Sequence, residues 1–398
     1  MNLEYIRAAV EDTYEEVVAL RRKIHMHPEL SQQEEQTMAL VSDYLTSLNI
    51  SHQTHVGGYG IVAVIGNPDA EFAVGIRADM DALPILEKNE VPYASKILGV
   101  MHACGHDIHT ATLMGTAKIL KSMEEDLPGA VKLFFQPAEE KGGGAKPMIE
   151  AGCLEKPPVK RVFGLHVSPD MPAGHISLKY GRMNAASTNL KIIVHGMACH
   201  GARPNKGADA IMAAANVLTG LQSIVSRSLS PTNSAVITIG TINGGTKNNI
   251  VAGEVEMTGT IRTLDFETRE LVKQRVREIA QNAAAAYGAT ADVIIQDNYP
   301  PLITDIPTTQ RMEALAREIL GEEAVHILAE PSLGAEDFAY FSNAVPGTMF
   351  RLGTFGKDTG HPQMLHNEWF CPDETCMKTG MLLEVAGALT FLKEEEQS

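Results

Sequence analysis

The sequence predicts an α/β chain of two domains. The larger is built on a mostly parallel central sheet, and a smaller domain with the βαββαβ order of ferredoxin-like folds interrupts it. Three observations carry this reading. The chain has 398 residues, beyond the roughly 100–200 of one ordinary domain. Apolar strand-like runs alternate with helical periods up to about residue 185, the pattern of a parallel sheet with crossover helices. From Ser187 onward the order becomes strand, helix, strand, strand, helix, strand, over a length that suits a domain of its own. The boundaries read as 1–185 and 298–398 for the larger domain and 186–297 for the inserted one.

Taken in order, 3–25 reads as a helix with apolar positions at Ile6, Val10, Val17, Val18 and Leu20, and 34–48 as a second. Ile61 to Ile65 and Phe72 to Ile76 read as strands. A helix follows with Asp107 as its expected N-cap, running through Ile119 and Leu120 to Met123. Val131 to Phe135 and Val162 to Val167 are the next apolar runs. In the insert, TNLKIIVH, SAVITIGTI, EVEMTGTIRT and ATADVIIQ read as strands. ADAIMAAANVLTGLQSIVSR reads as a helix, and so does the stretch from Phe266 to Gly288. NGGTKN between two of the strands has the residues of tight turns. A helix near 308–320, a strand at 349–352 and a last helix near 373–392 complete the larger domain.

The formal net charge is −16, which argues against nucleic acid as partner, because phosphate binding needs clustered Lys and Arg. An acidic surface also disfavours anionic membranes. The start, MNLEYIRAAVEDTYEEVV, lacks the basic and apolar segments of a signal peptide. No window nears the ~18 apolar residues of a membrane span. The five cysteines are scattered, with no CxxC pair. A reducing cytoplasm is therefore expected, with Cys371 and Cys376 as small buried hydrophobes.

One segment, MHACGHDIHTATLMG, puts His102, Cys104, His106 and His109 within eight residues, although the chain has 14 His and 5 Cys in all. Asp79 and Asp81 follow one predicted strand, Glu139 and Glu140 follow another, and His166 ends a third. Each has a plain alternative when taken alone. Cys104 and His166 suit a core, His102 and His109 suit a helix end, and the acids suit turns or a solvated surface. Together, however, they fall at the carboxyl ends of strands, where open α/β sheets bind ligands. Carboxylates and thiolates gathered in a buried site repel one another and lose hydration, and a divalent cation relieves both. Imidazole, carboxylate and thiolate suit Zn²⁺ or a related ion. Adjacent glutamates diverge, so a natural division is one as ligand and the other free as a base for water.

RADMDALP, MHACGHDIHTA, FQPAEEKGGGA, GLHV, HGARP, GAEDF and LHNEWF, in that order from residue 77 to 370, are identified as those of a family. They resemble the metal-dependent amidohydrolases that include N-acyl-L-amino acid, hippurate and indoleacetyl-amino acid hydrolases, a branch of the aminoacylase and carboxypeptidase-type dinuclear metallo-exopeptidases. The resemblance implies an α/β catalytic domain with a lid that also mediates dimerisation, in a homodimer or a dimer-based homo-oligomer. It implies Cys104, His106, Glu140, His166 and His366 as ligands of two divalent ions (Zn, Mn, Co or Ni), with Cys104 bridging them. It assigns Glu139 as general base and later acid, Asp81 as the carboxylate orienting a ligand histidine, and His200 as the oxyanion donor. It also implies that Asn249 contacts the substrate's carboxylate or carbonyl. The implied reaction is attack of an ion-held hydroxide on the amide of an N-acyl-L-amino acid, a small-molecule substrate.

One departure stands out. The branch commonly has paired glycines before the lid histidine, whereas this chain reads HGMACHGARP, with Ala198 and Cys199 there. Cys199 reads as packing. Close alternatives on the same site are an N-acetyldiaminopimelate deacetylase, an aminobenzoyl-glutamate hydrolase or a dipeptidase. Two further alternatives are a metal-bound protein without turnover and a thiol enzyme using Cys104 as nucleophile. A free acid beside the ligands argues against the former, since structural zinc sites are closed.

Overall fold

The computed structural model describes residues 2–356 and 364–397. The chain divides into two compact units. The first comprises Met1–Gly181, Thr304–Glu330 and Asp337–Ser398, and the second Arg182–Ile303 with Pro331–Glu336.

The first unit holds an eight-stranded sheet. Four neighbouring strands, in the order Ala130–Gln136, Ala73–Asp79, Val159–Pro172 and Gly347–Phe355, run parallel. Antiparallel neighbours flank them, Ile61–Ile65 on one side and Ile176–Leu178 on the other. Every residue of Ala73–Asp79 and Ala130–Gln136 is buried, as expected of a parallel sheet covered on both faces. Three helices, Leu3–Met26, His106–Lys121 and Cys376–Glu396, pack on one another, and the last two also lie against the sheet. Asn2 caps the first by accepting from the Tyr5 amide at 3.1 Å.

His106–Lys121 departs from its expected start. Its N-cap is Gly105 in the left-handed region, φ 82°, and Asp107 lies inside the first turn. The Asp107 carboxylate is instead buried against Arg21 Nε at 2.7 Å and His25 Nδ1 at 2.7 Å on the N-terminal helix. A buried cation outcompetes a capping amide for that carboxylate.

In the second unit the four-stranded sheet has the order Ala235–Gly244, Glu254–Thr263, Ala186–His195, Thr290–Asp297, antiparallel throughout. Helices Ala210–Ser223 and Phe266–Ala285 pack together and on the sheet. Asp209 caps the first from its side chain and Asp265 the second. The strand order is that of the ferredoxin-like arrangement. The unit has its own core, drawn from Leu190 to Ala291 and including Ile192, Val217, Leu221, Met257, Val272 and Val276. Among the described residues no helix is long and apolar enough to cross a membrane.

Candidate active site

The site lies at the carboxyl ends of Ala73–Asp79 and Ala130–Gln136; His166, expected to end its strand, instead stands inside Val159–Pro172, which runs on past it against Gly347–Phe355. Asp79 is the last residue of its strand, and pairing with the neighbouring strand ends at Arg77 opposite Gly164, two residues before His166. Glu139 and Glu140 sit in the turn after Ala130–Gln136. That turn is tight: Ala138 has φ 57°, its amide donates to Glu34 Oε1 at 2.7 Å, and burial pushes the Glu34 carboxyl up to about 7. Gly144 closes beneath it, where a Cβ would stand 1.8 Å from the Pro137 carbonyl oxygen. The glycine run therefore serves close packing.

Side chains from four segments converge at this edge. Cys104, His106 and His166 form one group whose ligand atoms all lie within 4.8 Å of one another. Cys104, Glu140 and His366 form a second, and His106, Glu139 and Glu140 a third. Cys104 Sγ is 3.5 Å from His166 Nε2, and His366 Nε2 is 3.2 Å from Glu140 Oε1. His366 reaches in because its own amide donates to Ala103 O at 2.8 Å, with φ 59°.

Asp81 is the hub of the arrangement. Its Oδ1 accepts from the Glu139 amide at 3.0 Å and faces His106 Nδ1 at 3.2 Å. Its Oδ2 accepts from Ser31 Oγ at 2.6 Å and from the Glu140 amide at 3.0 Å. One carboxylate thus fixes both glutamate peptides and the tautomer of His106. That histidine's Nε2 is left buried without a hydrogen-bond partner.

The electrostatics describe a site short of positive charge. Burial, with Glu140, Glu139 and Asp79 nearby, drives the Cys104 thiol well above its ordinary range. Burial would lower His106, yet Asp79 and Asp81 prevail and raise it to about 10. Burial also opposes ionisation of Asp79, and Arg77 with the two histidines overcomes this and holds it well below the usual carboxylate range. A buried imidazole nitrogen without a hydrogen-bond partner, beside a thiol and acids, is a donor set that a divalent cation fits, since the cation relieves the repulsion among the acids and replaces the Nε2 proton.

Of the expected site residues, Asp81, Cys104, His106, Glu139, Glu140, His166 and His366 meet in the first unit. His200 and Asn249 belong to the second, where they are neighbours: strand Ile250–Val251 pairs with Cys199–His200, and the Gly201 amide donates to Asn249 O at 2.8 Å. His200 Nδ1 accepts from the Ala202 amide at 3.0 Å. Cys199 Sγ turns to Arg203 O at 3.4 Å. Four residues were missed in the sequence. Ser31 holds Asp81, and Gln136 and Asp337 bracket the fully buried Arg77, with Arg77 Nη2 to Asp337 Oδ1 at 2.7 Å. The fourth, His109, reads as a helix-end residue in the sequence and is fully buried in the fold. The aspartate of GAEDF was the available signal for Asp337; Ser31 had none.

Residues 75–386 match peptidase family M20/M25/M40. The chain belongs to that family. It is accordingly a hydrolase of the metal-dependent amidohydrolase and peptidase kind. Over 393 residues it is 38% identical to thermostable carboxypeptidase 1 of Saccharolobus solfataricus, covering 98% of each chain. It is also 38% identical over 385 residues to the N-acetyl-L-cysteine deacetylase of Bacillus subtilis, covering 96% of this chain and 90% of the relative. Among solved structures, the YXEP protein of Bacillus subtilis, described as a dinuclear metal binding peptidase, superposes with a TM-score of 0.84 at 33% identity. That match covers 96% of this chain and 99% of the other.

Proposed function

We propose that this family member hydrolyses the amide bond of N-acyl-L-amino acids, with two divalent cations held by Cys104, His106, Glu140, His166 and His366. The observation that carries the reading is that Cys104 belongs to two ligand groups at once, one with His106 and His166 and one with Glu140 and His366. A thiolate common to two groups is what two cations sharing a ligand need. Zn²⁺, Mn²⁺, Co²⁺ and Ni²⁺ all suit the donors, and the dinuclear description of the YXEP structure supports the count. Bound there, the cations supply the charge that makes Cys104 a thiolate, polarises the substrate carbonyl and acidifies water near neutrality.

The remaining steps are assigned to the chain's own groups. The Glu139 carboxylate takes a proton from water as the oxygen attacks the amide carbon, and returns it to the nitrogen, so the products are a carboxylic acid and a free amino acid. The Glu139 amide is tied to Asp81, so the carboxylate extends from a fixed peptide. Asp81 holds His106 through Nδ1 and frees Nε2 for ligation. His200 accepts a hydrogen bond at Nδ1, which leaves Nε2–H as a donor for the oxyanion, worth about 3 kcal/mol for one such group. Asn249, beside it, is assigned to the substrate's carboxylate or carbonyl. The second unit is read as lid and dimerisation surface, in a cytoplasmic homo-oligomer.

The deacetylase relative supports small N-acyl substrates, and the carboxypeptidase relative favours a second reading in which the acyl group is a peptide. N-acetyl-methionine, hippurate and a dipeptide, assayed with and without chelator, separate the two. Glu139→Gln is expected to keep its metal and lose activity by about 10²- to 10⁴-fold. Activity that survives both chelation and Glu139→Gln overturns the proposal.

A further inference from the structure

We infer that His109, which is in neither of the ligand groups that share Cys104, is a positioning residue that aims His166 at its cation. The inference rests on the metal-site reading above and deepens it. His109 lies three residues after His106 on the same helix and is wholly buried. Its ring stands 5.4 Å from that of His106 and 4.9 Å from that of His166, centroid to centroid. By composition and position it belongs with the ligands, and Asp79, His106 and His109 do lie within ligand distance of one another.

Its hydrogen bonds exclude that role. Nδ1 lies 2.5 Å from Asp79 Oδ1, and Nε2 is 2.9 Å from the amide nitrogen of Val167. A backbone N–H can only donate, so Nε2 carries no proton and its lone pair is taken. Nδ1 therefore bears the hydrogen and gives it to the carboxylate. Neither nitrogen is free for a cation.

The bond to Val167 is what reaches the metal site. His166 Nδ1 donates to the Val167 carbonyl at 2.8 Å, which turns His166 Nε2 towards Cys104 Sγ. Val167 is thus gripped on both sides, its carbonyl by the ligand histidine and its amide by His109. Behind His109, Asp79 Oδ2 accepts from Arg77 Nη1 at 2.6 Å, and Arg77 also bonds Gln136 and Asp337. A chain of charge-assisted bonds therefore runs from the sheet interior to the one backbone residue that sets the His166 ring. Such outer partners of metal ligands typically change affinity by about 10- to 100-fold.

Two substitutions divide the two bonds of His109. A Gln side chain places its amide near the Nε2 position and keeps an acceptor for Val167, whereas Asn places its amide near Nδ1 and keeps only the donor to Asp79. The full-length protein, stripped with chelator, is titrated with Co²⁺, following ligand-field bands and the thiolate charge-transfer band. His109→Asn and His109→Phe are expected to weaken one of the two Co²⁺ dissociation constants by about 10- to 100-fold and to alter that ion's bands, with His109→Gln staying within about fivefold of the parent. Affinities within twofold for all three variants, or His109→Gln as weak as His109→Phe, overturn the inference. If variants fail to fold, ¹⁵N spectra of the parent decide. His109 is expected to keep the Nδ1–H pattern when Zn²⁺ is added, and a metal-induced change at its Nε2 would make it a ligand and end the proposal. A parent that binds no Co²⁺ or Zn²⁺ defeats the metal-site reading itself, a different outcome from any of these.

Discussion

Asp81 accepts four hydrogen bonds, two on each oxygen, from His106, Ser31 and the amides of Glu139 and Glu140. Asparagine retains one acceptor oxygen and turns the other into a donor, so one pair of those donors must face an NH₂. Asp81→Asn is therefore expected to lower metal affinity by about 10- to 100-fold, read by calorimetry on the stripped protein. Ser31→Ala removes only one of the four bonds and should act in the same direction with a smaller effect. These two residues also mark how far the sequence can be read at this scale. RADMDALP after an apolar run marked both Asp79 and Asp81 as residues of a strand's carboxyl end, and only the family resemblance singled out Asp81 as the carboxylate orienting a histidine. Ser31 lies in an irregular loop fifty positions earlier, and only the fold brings its hydroxyl to the carboxylate. His109 was visible as a residue and misjudged in role, because sequence shows that three histidines are close and not which nitrogens are already occupied.

At the scale of elements, the helix His106–Lys121 is the part on which the site turns, since its first turn carries His106 and His109 and its N-cap adjoins Cys104. Its apolar period was legible and its start was not, because Asp107 looks like a capping residue until Arg21 and His25 arrive from a helix some eighty positions away. Gly105 is the true cap. Its φ of 82° disfavours any side chain, and a Cβ would stand 2.5 Å from Val167 Cγ2. Gly105→Ala should cost about 2 kcal/mol or more in denaturant unfolding of the stripped protein. The C-terminal helix contributes a different liability. Glu384 is wholly buried, accepts from Thr116 Oγ1 at 2.6 Å, and is raised by burial from 4.5 to about 8. Its carboxyl is neutral in the fold while the unfolded chain ionises it, so its contribution is whole below about 4.5 and is lost as pH rises through about 8. Glu384→Gln should therefore unfold at a higher temperature than the parent, by a margin that widens between pH 5 and pH 8. A margin that does not depend on pH would show that the carboxyl stays in one protonation state.

For the whole molecule, what made the interruption legible was a change in strand order. The exact limits follow from pairing that no local signal announces. Thr188 faces Asp297 across the antiparallel pair Ala186–His195 and Thr290–Asp297, so the first and last strands of the ferredoxin-like unit bring its entry and exit together. That is the geometry an insertion requires, and Pro331–Glu336 rejoins the same unit later in the chain. The insert's core is drawn entirely from residues between Leu190 and Ala291. Arg269 secures the closure, reaching Ser187 O, Thr188 Oγ1 and Asp297 Oδ1, all at 3.0 to 3.1 Å. Cys104, His106, Glu140, His166 and His366 all lie in the other unit. The segment 182–303, produced alone, is therefore expected to melt cooperatively with an α/β circular-dichroism spectrum, at a temperature indifferent to Zn²⁺ or chelator. The full chain should gain about 2.7 kcal/mol at a hundredfold excess of ion over its dissociation constant, and lose it on chelation. An isolated segment without a cooperative transition would mean that its core depends on the host, and one stabilised by the ion would place a ligand outside the site described.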